Sequence, residues 1–318
     1  MKKILCVCMS ATYQRTVVFE KLALEKINRS HHYGLYASGK AVNTARVLAQ
    51  LEKGSAVTVC PLGKQNSAEF VELAERDGLD LWYVDTPGKI RECWTLLDTS
   101  AGTTTELIAG EPVPQDDFSN AEIKLLKLIT EKLDECDAML LAGSRQGKWS
   151  SDIYAVLCGI ALDKGKTVLA DFIGDELKCA LKSAVPSIVK INSDEFEATF
   201  GMPASPENLC AKSREYNNIF VITRGTDSTL AAARGDFYEC PTLKVEAMHS
   251  FSESKEIMEE LTRYGFYISL SGPVTFKNAR VQKEVAEAVP VNLLLTETDS
   301  PYMAPTPLRG TINEPGIP

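Results

Sequence analysis

The chain has 318 residues, of which 44% are hydrophobic and 24% charged, enough for one large α/β domain or two smaller ones around a real core. Net charge is −9, with 28 basic and 34 acidic residues up to position 247 and 6 and 9 beyond it. Neither part carries the basic excess that phosphate-backbone binding leaves, so a nucleic-acid partner is not expected. The nine cysteines form no C-x-x-C pair. They read as free thiols in a reducing cytoplasm.

The opening MKKILCVCMSA imitates a signal peptide, but its apolar run stops at Ser10, too short for an h-region. It reads as a buried strand over residues 3–9. A mixed segment follows, then a helix at about 40–52, with Ala41, Ala45, Leu48 and Leu51 on one face. Residues 55–63 read as a strand, 67–78 as a helix closed by Gly78, and 79–85 as a strand. The β-rich runs 90–99 and 103–109 flank Ser100-Ala101-Gly102 and predict a hairpin. With segment 16–37 it makes a small separate β element.

From residue 119 the alternation becomes regular. Ser119 and Glu122 have capping-box spacing, and Ile123, Leu126, Ile129 and Leu133 form a stripe. Strands at 137–143, 166–172, 187–192 and 218–225 alternate with helices at 150–163, 174–182 and 194–201. Such continuous apolar strands predict a mostly parallel sheet covered on both faces. Ligands bind beyond the carboxyl ends of such strands. Here those ends read AGS (142–144), ADF (170–172), KIN (190–192) and TRG (223–225).

SGKAVNTAR (38–46), AGS, KINSDE (190–195) and TRGTDS (223–228), in this order, resemble the ribokinase-like PfkB family of sugar kinases. The branch most similar phosphorylates sugar phosphates of fructose or tagatose type. The resemblance covers about 1–246. It implies a ribokinase-like sheet and a β lid drawn from about 11–37 and 88–110. It also implies a homodimer through that lid, and ATP and Mg²⁺ as nucleotide and metal. Gly39 and Asn43 match the sugar-reading motif, and Lys40 and Arg91 match positions facing a sugar phosphate. Gln14 stands where the family has a sugar-binding aspartate, and Ser38-Gly39 stand in place of a doubled glycine. Lys190, Asn192 and Glu195 match the motif that organises Mg²⁺ and phosphates. Thr223 and Gly225 match the nucleotide-side turn.

The family also has a Gly-Ala-Gly-Asp turn, whose backbone N–H groups hold the anionic transition state and whose aspartate takes the proton from the attacking hydroxyl. No GAGD occurs in this chain; at that point in order stands MHSFSES. The expected kinase is therefore impaired, with no catalytic aspartate to assign. Downstream, 253–265 reads as a helix, 265–272 as a strand, 275–289 as a helix and 292–302 as a strand. MHSFSES, GFYISLSGPVTFKNA, LLTETDSPYMAP and RGTINEP resemble the C-terminal part of TatD-family metal-dependent deoxyribonucleases. These are TIM barrels, of which about 248–315 would be the last βα units. His249 and Asp299 match metal ligands of that family, but His31, His32 and His249 are the only histidines. A divalent metal at this remnant is not expected. The reading is thus a PfkB-like domain over 1–247 and a TatD-like fragment over 248–318. The alternative functions are a metal-dependent nuclease or a non-enzymatic chimera. In the last, Ile257, Met258 and Leu261 of the helix would cover sheet surface.

Overall fold

The computed structural model describes residues 2–30, 32–110, 117–145, 148–241, 255–263, 268–270, 272–296 and 305–307. His249 and Asp299, the strand end at 244–247 and the MHSFSES segment lie outside them. The chain divides into two compact units, Met1–Thr242 and Leu243–Pro318.

The first unit opens with β1 (Ile4–Val7), β2 (Thr12–Phe19) and β3 (His32–Ser38), then α1 (Lys40–Leu51), β4 (Ala56–Gly63), α2 (Ser67–Arg76) and β5 (Leu81–Thr86). The hairpin follows as β6 (Arg91–Asp98) and β7 (Thr103–Ala109). Next come α3 (Ser119–Leu133), β8 (Ala138–Ala142), α4 (Ile153–Asp163), β9 (Thr167–Asp171), α5 (Gly174–Ser183), β10 (Ile188–Asn192) and α6 (Ser193–Phe200). The unit finishes with α7 (Pro206–Tyr216), β11 (Ile219–Arg224), β12 (Asp227–Ala233) and β13 (Asp236–Cys240).

Nine strands form one sheet in the order β13-β12-β11-β10-β9-β8-β1-β4-β5. The seven from β11 to β5 run parallel; β12 and β13 add antiparallel at one edge. The period-2 alternation of strands sorts the core into two faces. Leu5 and Val7 join Leu125, Ile129, Leu157, Leu177, Phe196 and Leu209 from α3 to α7. Cys6 and Cys8 join Ala41, Val42, Ala45, Phe70 and Ala74 from α1 and α2. On β10 and β11, Val189, Ile191, Phe220 and Ile222 are fully buried, whereas Ile188, Lys190, Ile219 and Val221 on the other face are only partly so.

The mixed segment after β1 resolves into two strands. β2 pairs antiparallel with β3 and parallel with β6, and β7 completes a four-stranded lid, β3-β2-β6-β7. Thr12 aligns with both Ser38 and Arg91. The end of β3 that leads into α1 therefore lies in line with Arg91, two strand spacings away.

Three local expectations change. Ser119 and Glu122 do not form a capping box: Ser119 bonds Asp117, and Glu122 accepts from the Ser150 backbone N–H at 3.0 Å and its hydroxyl at 2.6 Å. The buried stripe of α3 is Ala121, Leu125, Ile129 and Leu133. Ile123 is 68% exposed, because one turn of 3.6 residues rotates the stripe away from it. The helix α7 has no counterpart in the sequence reading. Ser205 caps it, accepting from the Asn208 N–H at 3.3 Å, and Pro206 opens it, a start signal of the usual kind.

In the second unit, α8 (Lys255–Arg263), β14 (Ile268–Leu270), a 3₁₀ turn (Gly272–Thr275), α9 (Arg280–Ala288), a second turn (Val291–Leu293) and β15 (Leu294–Thr296) follow in order. β14 and β15 pair in parallel, so α9 is their crossover. Met258 is buried with Ile268, Val285 and Val289. It thus packs in its own unit's core; the side chains of Ile257 and Leu261 are outside the described set.

Candidate functional site

The carboxyl ends of β8, β9, β10 and β11 are adjacent, and Lys190, Asn192, Glu195, Thr223 and Gly225 lie at or just beyond the ends of β10 and β11. A cavity of about 240 Å³ lies there. Lys40, Gly143, Ser144, Arg145, Asp171, Glu176 and Glu195 contribute to its walls, with Tyr154, Phe172 and Ile173 as the apolar part.

Gly39 caps α1 with φ 133° and ψ 149°. A Cβ there would stand 2.5 Å from Cys8 Sγ and 3.2 Å from the Ser10 carbonyl. Conformation and space both demand glycine, and the helix begins close against the end of β1. The Cys60 thiol beneath is hydrogen-bonded to Cys8 and fully buried, which holds its pKa well above the ordinary value. Asn43, one turn on, accepts from the Ser38 hydroxyl at 3.2 Å and from Arg46 Nη1 at 2.7 Å. Its carboxamide is thereby oriented by two donors.

Lys40 reaches across to the sheet. Its Nζ lies 2.8 Å from Asp171 Oδ1 and 3.9 Å from Glu195 Oε1. Lys190 Nζ lies 3.4 Å from Asp171 Oδ2. Asp171, at the end of β9, thus sits between two ammonium groups. Asn192 and Glu195 form a reciprocal capping box at the start of α6. The Asn192 side chain accepts from the Glu195 N–H, and Glu195 Oε2 accepts from the Asn192 N–H, each at 2.8 Å. One oxygen of Glu195 is committed to the helix; the other faces Lys40. Thr223 is the register partner of Asn192 on β11. Gly225 takes φ 62° in the turn that follows, with open space around it.

Arg91 and Gln14 belong to the lid. Arg91 Nε donates to Thr12 Oγ1 at 2.8 Å, and Thr12 donates to the Ser10 carbonyl at 3.1 Å. This chain ties the lid's base to the end of β1. Gln14 Nε2 donates to Thr95 Oγ1 at 2.6 Å, an intra-lid bond.

The structure thus brings Lys40 and Lys190 to Asp171 and Glu195 to Lys40, with Gly39 at the start of the helix that carries Lys40, Asn192 paired with Glu195, Thr223 beside Asn192 on the next strand, and Gln14 and Arg91 on the lid. Asp171, Arg145 and Glu176 are the additions. Asp171 had a sequence signal, an acidic residue closing a buried strand. Arg145 and Glu176 had none, since each sits in a loop or first turn whose partner is more than 30 residues away. The two carboxylates Asp171 and Glu195 are hard oxygen donors at a cavity that Lys40 and Arg145 also line. Magnesium accepts one or two such ligands beside phosphate oxygens and water, so the donor set fits that ion. Among the described residues no group of three or more His, Cys, Asp or Glu side chains is placed to hold a metal.

The description pfkB family carbohydrate kinase matches residues 1–251. The chain belongs to that family. Its 1-phosphofructokinase relative from Haemophilus influenzae is 27% identical over 219 residues, 68% of this chain and 67% of that one. Among solved structures, phosphofructokinase-2 from Escherichia coli in complex with fructose-6-phosphate covers 81% of this chain and 85% of its own, with TM-score 0.67 and 18% identity. A possible 1-phosphofructokinase from Thermotoga maritima gives TM-score 0.65 at 18% identity, over 74% and 76% of the two chains. These establish the ribokinase-like fold.

A second description, TatD related DNase, matches residues 214–317. The uncharacterized metal-dependent hydrolase YabD of Bacillus subtilis is 50% identical over 68 residues, 21% of this chain and 27% of that one. YcfH of Escherichia coli is 50% identical over 70 residues, 22% and 26%. The chain spans about a quarter of the length of these hydrolases. The carbohydrate-kinase family member therefore carries a TatD-like region at its C-terminal side.

Proposed function

We propose that the part of the chain up to about residue 247 is an ATP-dependent kinase of a fructose- or tagatose-type sugar phosphate, working slowly. The observation that carries this reading is the assembly of Lys40, Lys190 and Glu195 around Asp171, beside a helix start that only glycine can make. Gly39 and Asn43 would read sugar hydroxyls. Arg91, on the lid, would face the sugar phosphate, a task for which its planar fork is suited. Gln14 would offer a hydrogen bond without charge. Asp171 and Glu195 would hold Mg²⁺ with the nucleotide phosphates, which neutralises developing charge in phosphoryl transfer. Thr223 and Gly225 would flank the nucleotide.

Turnover is slow in this reading because no GAGD aspartate is present to take the hydroxyl proton. Loss of a general base costs about 10²–10⁴-fold. The test is a coupled assay with ATP and fructose 1-phosphate, fructose 6-phosphate or tagatose 6-phosphate, run beside thermal shifts with each ligand. Melting shifts with turnover far below about one per second are expected. Faster turnover would remove the impairment, and no shift with any ligand would remove the kinase reading.

The exposed apolar side chains Tyr33, Tyr36, Leu107 and Ile108 on the two outer lid strands support a homodimer through the lid. No described helix is long and apolar enough to cross a membrane, and cytoplasmic residence is part of the same proposal. For the region beyond 247 we propose no nuclease activity. Mg²⁺-dependent digestion of single-stranded DNA by the full chain, and its loss in His249→Ala and Asp299→Ala, would overturn this.

A further inference from the structure

Arg145 lines the cavity with an ion pair that leaves one of its N–H groups without an acceptor among the described residues. It leaves the loop after β8, and its side chain is only 17% exposed. Nη1 donates to the Trp149 carbonyl at 3.0 Å. Nε lies 3.1 Å from Glu176 Oε1, yet it is buried without a hydrogen-bond partner among the described residues. The carboxylate is close enough to compensate charge but off the N–H axis. A guanidinium taken out of water and met by a misaligned anion is held at a cost. A tetrahedral anion meeting the part of the guanidinium that lines the cavity would give it a second charged partner.

The position of the fork limits what that anion is. The two loops that Arg145 and Glu176 connect, after β8 and after β9, bound the cavity. The Tyr154 hydroxyl donates to the Gly143 carbonyl at 2.7 Å, and its ring stacks on Phe172 with centroids 4.2 Å apart. These contacts tie Gly143 and Phe172, the first residues after β8 and β9, to α4. Opposite lie Lys40 at the start of α1 and the carboxylates of Asp171 and Glu195. The cavity thus joins the residues assigned to the sugar with those assigned to Mg²⁺ and nucleotide. In phosphoryl transfer the group found at that junction is the terminal phosphate.

We infer that Arg145 binds the terminal phosphate of the nucleotide, with Glu176 holding the guanidinium in place until the phosphate arrives. The inference rests on the kinase reading above. It assigns a cation to the phosphate in a chain whose sequence has no GAGD turn to cradle it.

The test is calorimetric binding, with Mg²⁺, of the β,γ-imido analogue of ATP and of ADP to the full chain, Arg145→Gln and Arg145→Lys. The analogue is expected to lose about 10- to 100-fold in affinity in Arg145→Gln, as for a charged hydrogen bond. ADP, which lacks the contacted phosphate, should be unchanged. Arg145→Lys keeps the charge without the fork and should lose less than the glutamine variant, which also serves if glutamine impairs folding. Equal losses for analogue and ADP, or no loss for either, would overturn the inference while leaving the kinase reading intact. So would a loss of fructose 1-phosphate or fructose 6-phosphate binding with analogue binding retained. Failure of the unaltered chain to bind any nucleotide would overturn the kinase reading, and the inference with it.

Discussion

The two units bury their apolar surface on different scales. In Met1–Thr242 a nine-stranded sheet is packed by α3 to α7 on one face and by α1 and α2 on the other, giving two extended cores. In Leu243–Pro318 the described core is Met258, Ile268, Val285 and Val289 around two short strands. Surface burial rises with size, and a region of 76 residues with a two-stranded sheet is near the limit of what a core alone supports. The larger core gives the first unit a frame on which Lys40, Arg145, Asp171, Glu176 and Glu195 can be held at one cavity. The difference also means that the two should respond separately to core damage.

Phe196→Ala gives the largest expected effect. Phe196 is fully buried, 4.8 Å from the Phe200 ring and 6.2 Å from that of Phe220, and truncation should cost about 3–5 kcal/mol. In a urea melt the loss should fall on the transition of the first unit. Met258→Ala should lower only a second, weaker transition. One shared transition that both substitutions shift equally would break the comparison.

Gly39→Ala comes next. Strain at φ 133° and the approach to Cys8 should cost about 1–3 kcal/mol and remove the thermal shift with fructose 6-phosphate. A tolerated alanine with an unchanged shift would show that the helix start is not needed for binding. Asn192→Ala removes a cap and should cost about 1 kcal/mol, while Asn192→Asp, which keeps an acceptor for the Glu195 N–H, should restore most of it.

The smallest effect is at the lid. The Arg15 hydrogen bond, at 2.8 Å, holds the Glu92 carboxyl below its ordinary pKa. A depressed folded value means that the stabilisation is present above the ordinary glutamate range and is lost as pH falls through the folded value. Glu92→Gln should therefore cost less than about 1 kcal/mol at neutral pH, and the difference from the unaltered chain should vanish in acid. A gap that widens in acid would contradict the pairing.

Much of the sheet was legible because buried parallel strands leave continuous apolar runs, as in residues 137–143 and 187–192. The candidate site was legible where one short segment carried its residues, as in SGKAVN and KINSDE. What was not legible depends on contacts between distant segments. Glu122 has capping-box spacing from Ser119, yet it serves Ser150 from another loop. Asp171 closes a buried strand in the sequence, but its partner Lys40 lies 131 positions away. The segment 16–37 was legible as part of a β element, but not as the separate strands β2 and β3, because polar and aromatic side chains weaken their alternation. The helix α7 carries few apolar residues, and its start signal, Ser205-Pro206, was the part that could have revealed it.

Glu195 divides its two oxygens between the first turn of α6 and the cleft, and that division has a consequence for how the position can vary. Shortening the side chain to aspartate keeps the charge but draws both oxygens back, so neither partner is reached. Glutamine keeps the reach but can serve the backbone N–H only by turning its amide nitrogen toward Lys40, where a cation repels it. Structural integrity and ligand chemistry are written into the same carboxylate, so position 195 offers selection no conservative exchange that spares one of them.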